Sequence, residues 1–249
     1  MKKTLLLSSF MAILWVAMSF SVCKTGKEKL MIDVCNFVGG DILRLDTVTY
    51  KNELGQSFTV TNFKYYISNI TLKNTNGKKY NTNTYFLVNE ADAASKELTL
   101  NNIPDGMYSS VEFTLGIDSL HNCNGAQTGV LDPVNGMFWA WNSGYIFLKL
   151  EGKSPASTSP GHIFEYHIGG YKSPNNCIRK INLTFDHPFP INENAPNTWV
   201  LSADVSEILK KPETIDFSKL SSVTDFHHAT TIADNYKDMF DITNVAYKK

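Results

Sequence analysis

The chain has 249 residues, 43% of them apolar and 19% charged, which suits one sizeable core or two small domains and excludes a disordered tail as the main content. Twenty-three basic side chains against 24 acidic ones leave a formal charge of -1, so there is no electrostatic footprint for wrapping nucleic acid. Aromatic residues make up 12%, with 15 Phe and 11 Tyr, a bias toward β-structure.

In chain order, Lys2 and Lys3 precede an apolar run from Leu5 to Val22, and the chain turns polar at once with Lys24, Lys27 and Lys29. This pattern predicts a signal peptide over residues 1–22 and export of residues 23–249; the alternative is an uncleaved membrane anchor. Cys23 stands where a lipoprotein carries its lipid, although Phe20-Ser21-Val22 lacks the small residues usual before such a cysteine. The expected location is the periplasm or the outer membrane, with a lipid on Cys23 as the sole membrane attachment.

Export exposes thiols to oxidation, so the remaining cysteines are read first as disulfide partners. Cys123 and Cys177 both lie in polar, loop-like stretches, and a bridge between them would add roughly 4 kcal/mol in the chain-entropy model. Cys35 lies within the apolar run Leu30 to Val38, as a buried free thiol or a partner of Cys23. No Cys-x-x-Cys is present, which argues against a zinc ribbon or a thioredoxin-like site.

Short segments of alternating or β-branched character follow one another at 58–72, 85–88, 111–117, 145–150, 163–168 and 178–185. Val111, Phe113, Leu115 and Ile117 fall on one face and Glu112 and Thr114 on the other, as in a half-buried strand. Turn signals at Asn76-Gly77, Pro104-Asp105-Gly106 and Asn135-Gly136 separate the runs. Val205 to Lys210 reads as a short helical piece with Asp204 as N-cap and Pro212 as its stop. A C-terminal helix is predicted at about 229–240, where Ile232, Tyr236 and Met239 or Phe240 form a stripe. The sum is an all-β protein: a single antiparallel β-sandwich, immunoglobulin-like or jelly-roll-like, with a short C-terminal helix.

No nucleophile motif, P-loop or dinucleotide fingerprint is present, and the reading is a binding protein and not an enzyme. Imidazole is the natural ligand for copper or zinc in such a chain. His167 shares a strand face with Ile163 and Glu165, and the expected Cys123–Cys177 bridge would draw His121 toward His167 at one end of the sandwich. His187 reads as an ordinary polar residue, and His227-His228 as a surface pair or a metal hook. Trp139 and Trp141 flank Ala140 and share a face if extended; they are either core or a functional pair. Asp132-Pro133-Val134-Asn135-Gly136 reads as a turn or a calcium loop, and Asp118, Glu165 and Asp132 are available carboxylates.

Three stretches carry a resemblance: Gly116-Ile117-Asp118-Ser119-Leu120-His121, then Leu131 to Tyr145 with its Met137-Phe138-Trp139-Ala140-Trp141, then Phe164-Glu165-Tyr166-His167-Ile168-Gly169-Gly170. They resemble the MbnP-like family of exported copper-binding proteins, and Phe63 to Ile70 and Ala233 to Phe240 resemble its Bacteroidetes branch. The resemblance implies a β-sandwich that holds copper through His121 and His167, with a kynurenine formed by oxidation of Trp139 or Trp141, and a di-haem cytochrome c peroxidase of the MbnH type as the partner that performs the oxidation. Copper storage or handling is the function implied. The alternative is a carbohydrate-binding or adhesive module that stacks sugars on Trp139, Trp141 and Tyr145.

Overall fold

The computed structural model describes residues 26–139, 144–224 and 228–244. The chain begins with β1 (Lys27–Val38), β2 (Asp41–Ile42), β3 (Tyr50–Lys51), the long β4 (Ser57–Asn74), β5 (Lys79–Asn81), β6 (Tyr85–Asn89), β7 (Glu97–Pro104) and β8 (Gly106–Leu115). After the one-turn helix α1 (Ser119–Cys123) come β9 (Phe138–Trp139), β10 (Gly144–Lys153), β11 (Ile163–Gly169), β12 (Arg179–Ile191), β13 (Thr198–Asp204) and β14 (Ser222–Val223). Helix α2 (Ala229–Tyr236) and β15 (Phe240–Asn244) complete the described part.

The elements form two sheets. The smaller runs β15-β13-β1, with β7 and β2 on the other edge of β1; the larger runs β12-β8-β4-β10-β11-β14, with β3, β5 and β6 also on β4 and β9 on β10. Alternation places the core between them. Leu30, Ile32 and Val34 of β1 and Leu98 and Leu100 of β7 are buried on one side, and Phe63, Tyr65, Ile67, Val111, Phe113 and Leu115 of β4 and β8 on the other. Tyr65 donates its hydroxyl to Asn36 Oδ1 across the layers at 2.9 Å, which satisfies two buried polar groups.

The sandwich follows the alternation read from the sequence, with one difference: β1 pairs parallel with β13, and β11 parallel with β14. The C-terminal helix also stops early. Residues 240–244 leave it to pair with β13, and Phe240 packs on Tyr65 and Phe113, so the apolar stripe is divided between a helix and a strand. Val205–Leu209 forms the predicted short helical piece, with Asp204 Oδ1 accepting from Ser206 N.

What positions the site is the sharing of β4. At Ile67 it pairs with Phe86 of β6 and Leu115 of β8; at Tyr65 it pairs with Val88 of β6 and Leu148 of β10. Since β6 holds one edge at both positions, β8 and β10 lie end to end along the other. The chain therefore leaves the sheet beside Tyr66, where Gly116 N bonds Tyr66 O, and rejoins it beside Tyr65 some thirty residues later. Gly116 has φ +113, and a side chain there would press on the Phe147 ring at 2.9 Å, so the departing and returning strands touch where only glycine fits.

Candidate metal centre on the covered outer face

Between the two irregularities of β4 the even-numbered residues from Asn62 to Ser68 point away from the core, and the excursion between β8 and β10 lies over them. Tyr66 Oη donates to Val130 O at 2.9 Å, Lys64 Nζ to Asn135 O at 3.3 Å and Lys149 Nζ to Gly136 O at 2.7 Å. Tyr145 Oη donates to Leu131 O at 2.8 Å, and the Tyr66 and Tyr145 rings meet edge to face at 6.0 Å. Asp132 Oδ1 accepts from Val134 N and Gly136 closes the turn at φ +71, so the Asp132 to Gly136 segment is a turn.

His121 sits on α1. Asp118 is the N-cap: its Oδ1 accepts the His121 backbone N–H at 3.1 Å, and Asn122 anchors the turn to Ile117 O at 2.6 Å and to Tyr145 N at 3.1 Å. The same carboxylate grips the imidazole, with Oδ2 3.0 Å and Oδ1 3.1 Å from Nδ1. Tyr85 of β6 closes the triangle, its oxygen 2.8 Å from Nδ1 and its hydroxyl donating to Asp118. Burial alone would raise the Asp118 pKa, but the hydrogen bonds from Tyr85 and His121 outweigh it and hold the group down at about 2.

His167 is on the outward side of β11, where register places it against Lys149. Its Nε2 lies 2.6 Å from Glu151 Oε1, and Asn62 Nδ2 donates to Glu151 Oε2 at 2.9 Å. The His167 hydrogen bond is the main reason the Glu151 carboxyl is lowered from 4.5 to about 2. Two residues along the same face is Gly169. A methyl group there would come within 2.7 Å of Trp139 Cζ3, so the indole lies against the glycine, two residues along the strand from His167.

Of the residues singled out from sequence, the structure therefore brings Trp139 against Gly169, two residues along β11 from His167, and places His121 on the excursion itself, in a separate hydrogen-bonded group. No hydrogen bond or ion pair links the two histidines, and among the described residues no three His, Cys, Asp or Glu side chains form a metal-holding group. Trp141, Cys23 and His227 lie outside the described residues. Trp139 and Tyr145 are 6% and 1% exposed, so they do not form an open stacking platform for sugars.

The expected Cys123–Cys177 bridge is corrected: Cys35, Cys123 and Cys177 are all free thiols. Cys123 is exposed at the end of α1 with Sγ 3.5 Å from Tyr171 Oη, while Cys177 is buried in the core beneath α2, where Tyr236 donates to its carbonyl. The two thiols have opposite environments, one in solvent and one in a packed interior. The buried cysteine is thus Cys177, whereas Cys35 is only half-buried on β1. Sequence reasoning missed Tyr85, Glu151 and Asn62. Only the capping spacing from Asp118 to His121 carried a signal, because partners on neighbouring strands are set by register.

Fold and site together define a class: a two-sheet β-sandwich in which a broad outer face and the long excursion that covers it each carry a histidine held by a carboxylate. The chain belongs to the MbnP family, whose model matches residues 27–227. Among solved structures it is similar to MbnP from Methylosinus trichosporium at a TM-score of 0.53, with 13% identity, over 88% of this chain and 99% of that one, a likeness of fold. No curated protein matches in sequence.

Proposed function

We propose that this protein is an exported copper-binding protein, which stores or hands on the metal and is not itself an enzyme, with His121 and His167 as its imidazole ligands. One observation carries the reading. Each histidine has one ring nitrogen tied to a carboxylate, Asp118 or Glu151, and among the described residues makes no hydrogen bond through the other. That is how metal-binding histidines are prepared: the carboxylate fixes the tautomer and raises the basicity of the free nitrogen. The donor chemistry fits copper, since Cu(I) takes few ligands of borderline or soft character. Membership of the MbnP family and the indole against Gly169, two residues from His167, support the same reading.

Trp139, or Trp141 two residues further on, would become a kynurenine in the loaded protein, and a di-haem peroxidase would be the partner that oxidises it. A kynurenine would bring an aromatic amine and a carbonyl, donors that could complete a low-coordinate site. The leader over residues 1–22 and Cys23 fit delivery to the periplasm or the outer membrane.

The test is metal analysis of protein purified from copper-supplied cells, with intact mass to detect tryptophan oxidation. About one copper per chain in the wild type and none in His167→Ala is the expected result. Unchanged copper in a folded His167→Ala protein would overturn the assignment.

A further inference from the structure

Resting on the copper reading, we propose that Asp118 and Tyr85 are positioning residues that leave Nε2 of His121 as its metal-binding nitrogen, while Glu151 leaves Nδ1 of His167. The two histidines would then bind through opposite ring nitrogens.

The argument is one of proton placement. Both oxygens of Asp118 face His121 Nδ1, at 3.0 and 3.1 Å. An ionised carboxylate accepts hydrogen bonds and cannot donate them, so a lone pair on Nδ1 would be repelled and Nδ1 carries the proton. The Tyr85 hydroxyl has two neighbours, Asp118 and Nδ1; it donates to the carboxylate, and its oxygen then accepts from the protonated Nδ1. Asn69 Nδ2 adds a longer contact to Asp118 at 3.5 Å. Every group around Nδ1 thus favours the Nδ1–H tautomer, and Nε2 is left with its lone pair. At His167 the same logic runs the other way: Glu151 Oε1 faces Nε2 at 2.6 Å with Lys149 Nζ 3.9 Å from the same oxygen, Asn62 donates to Oε2, and Nδ1 has no hydrogen bond among the described residues.

Asp118→Asn separates positioning from folding. Asparagine caps a helix as well as aspartate does, so Oδ1 continues to accept the His121 backbone N–H. The amide nitrogen then takes the place of Oδ2 and donates to Nδ1, which reverses the tautomer. Long-range nitrogen–proton NMR of histidine-labelled, metal-free protein reads this directly. The wild type is expected to show Nδ1–H at His121 and Nε2–H at His167; Asp118→Asn is expected to move His121 to Nε2–H and leave His167 alone, with Tyr85→Phe in between. Titration with Cu(I) against a chromophoric chelator should show a 10- to 100-fold loss of affinity in Asp118→Asn, the size typical of a lost outer partner.

An Nε2–H tautomer at His121 in the wild type, or an unchanged tautomer in Asp118→Asn, would overturn the proposal whatever the copper result. Wild-type tautomers as expected, with no Cu(I) shift at either histidine, would instead leave the positioning standing and remove the copper reading beneath it.

Discussion

At the scale of single residues, the pairing of His167 with Glu151 joins stability to the site. Glu151 is held at about 2 against an ordinary 4.5, so the folded state prefers the ionised form and gains stability from it at any pH above about 4.5. That gain is lost as the pH falls through about 2, where folded and unfolded chains are both protonated. The pair is partly solvated, and about 1–2 kcal/mol is a reasonable size for it. Glu151→Gln should therefore be less stable than the wild type by about this amount in chemical denaturation at pH 6, with the difference closing as the pH is lowered toward about 2. An equal difference at every pH would mean that the glutamate acts through packing alone. His167 was legible in the sequence, because a regular strand of alternating character puts it on one face with Ile163 and Glu165. Glu151 was not: its place beside His167 depends on which residue of β10 stands opposite which of β11, and strand register is set by the whole sheet.

At the scale of elements, the strands were legible and the thiols were not. Six runs of alternating or β-branched residues became six strands, because burying one face of a strand imposes its own period on the sequence. The polarity around Cys177 misled, since Pro174-Asn175-Asn176 describes the loop before it while the cysteine itself turns into the core under Tyr236. Burial pushes its thiol up to about 12, which leaves it almost wholly un-ionised near neutral pH. Labelling of the native protein with a thiol reagent should modify Cys123 rapidly and leave Cys177 intact until denaturant is added. Resistance of both to labelling until a reductant is supplied would restore the bridge. The C-terminal helix shows a different limit: Ile232, Tyr236 and Phe240 are all buried, as the stripe required, but burial alone does not distinguish the end of a helix from the strand that follows it.

At the scale of the whole molecule, the family match ends at residue 227, yet the core does not. Helix α2 packs Ala229, Ile232, Ala233 and Tyr236 inward, Arg179 of β12 reaches Asp234 at 2.9 Å, and β15 forms the outer strand of the smaller sheet. A chain ending at residue 227 would uncover Phe113, Tyr65 and Cys177 together. Loss of several large buried side chains at about 2–4 kcal/mol each is as large as the roughly 5–15 kcal/mol by which such a domain is stable. The truncated protein should show no cooperative thermal transition in circular dichroism; a sharp transition would make the C-terminal elements dispensable.

The excursion that departs beside Tyr66 and returns beside Tyr65 has a consequence for how such a protein can change. Its two roots lie at adjacent positions on one strand, so the closure of the sheet imposes no span on what lies between them, and the entropy of lengthening it grows only slowly. Residues can be added to the excursion, removed or exchanged without shifting the register of a single strand. The sandwich is in that sense a mount with an interchangeable fitting. Half of the candidate site, Glu151 and His167, belongs to the mount; the other half, Asp118, His121 and Trp139, travels with the fitting.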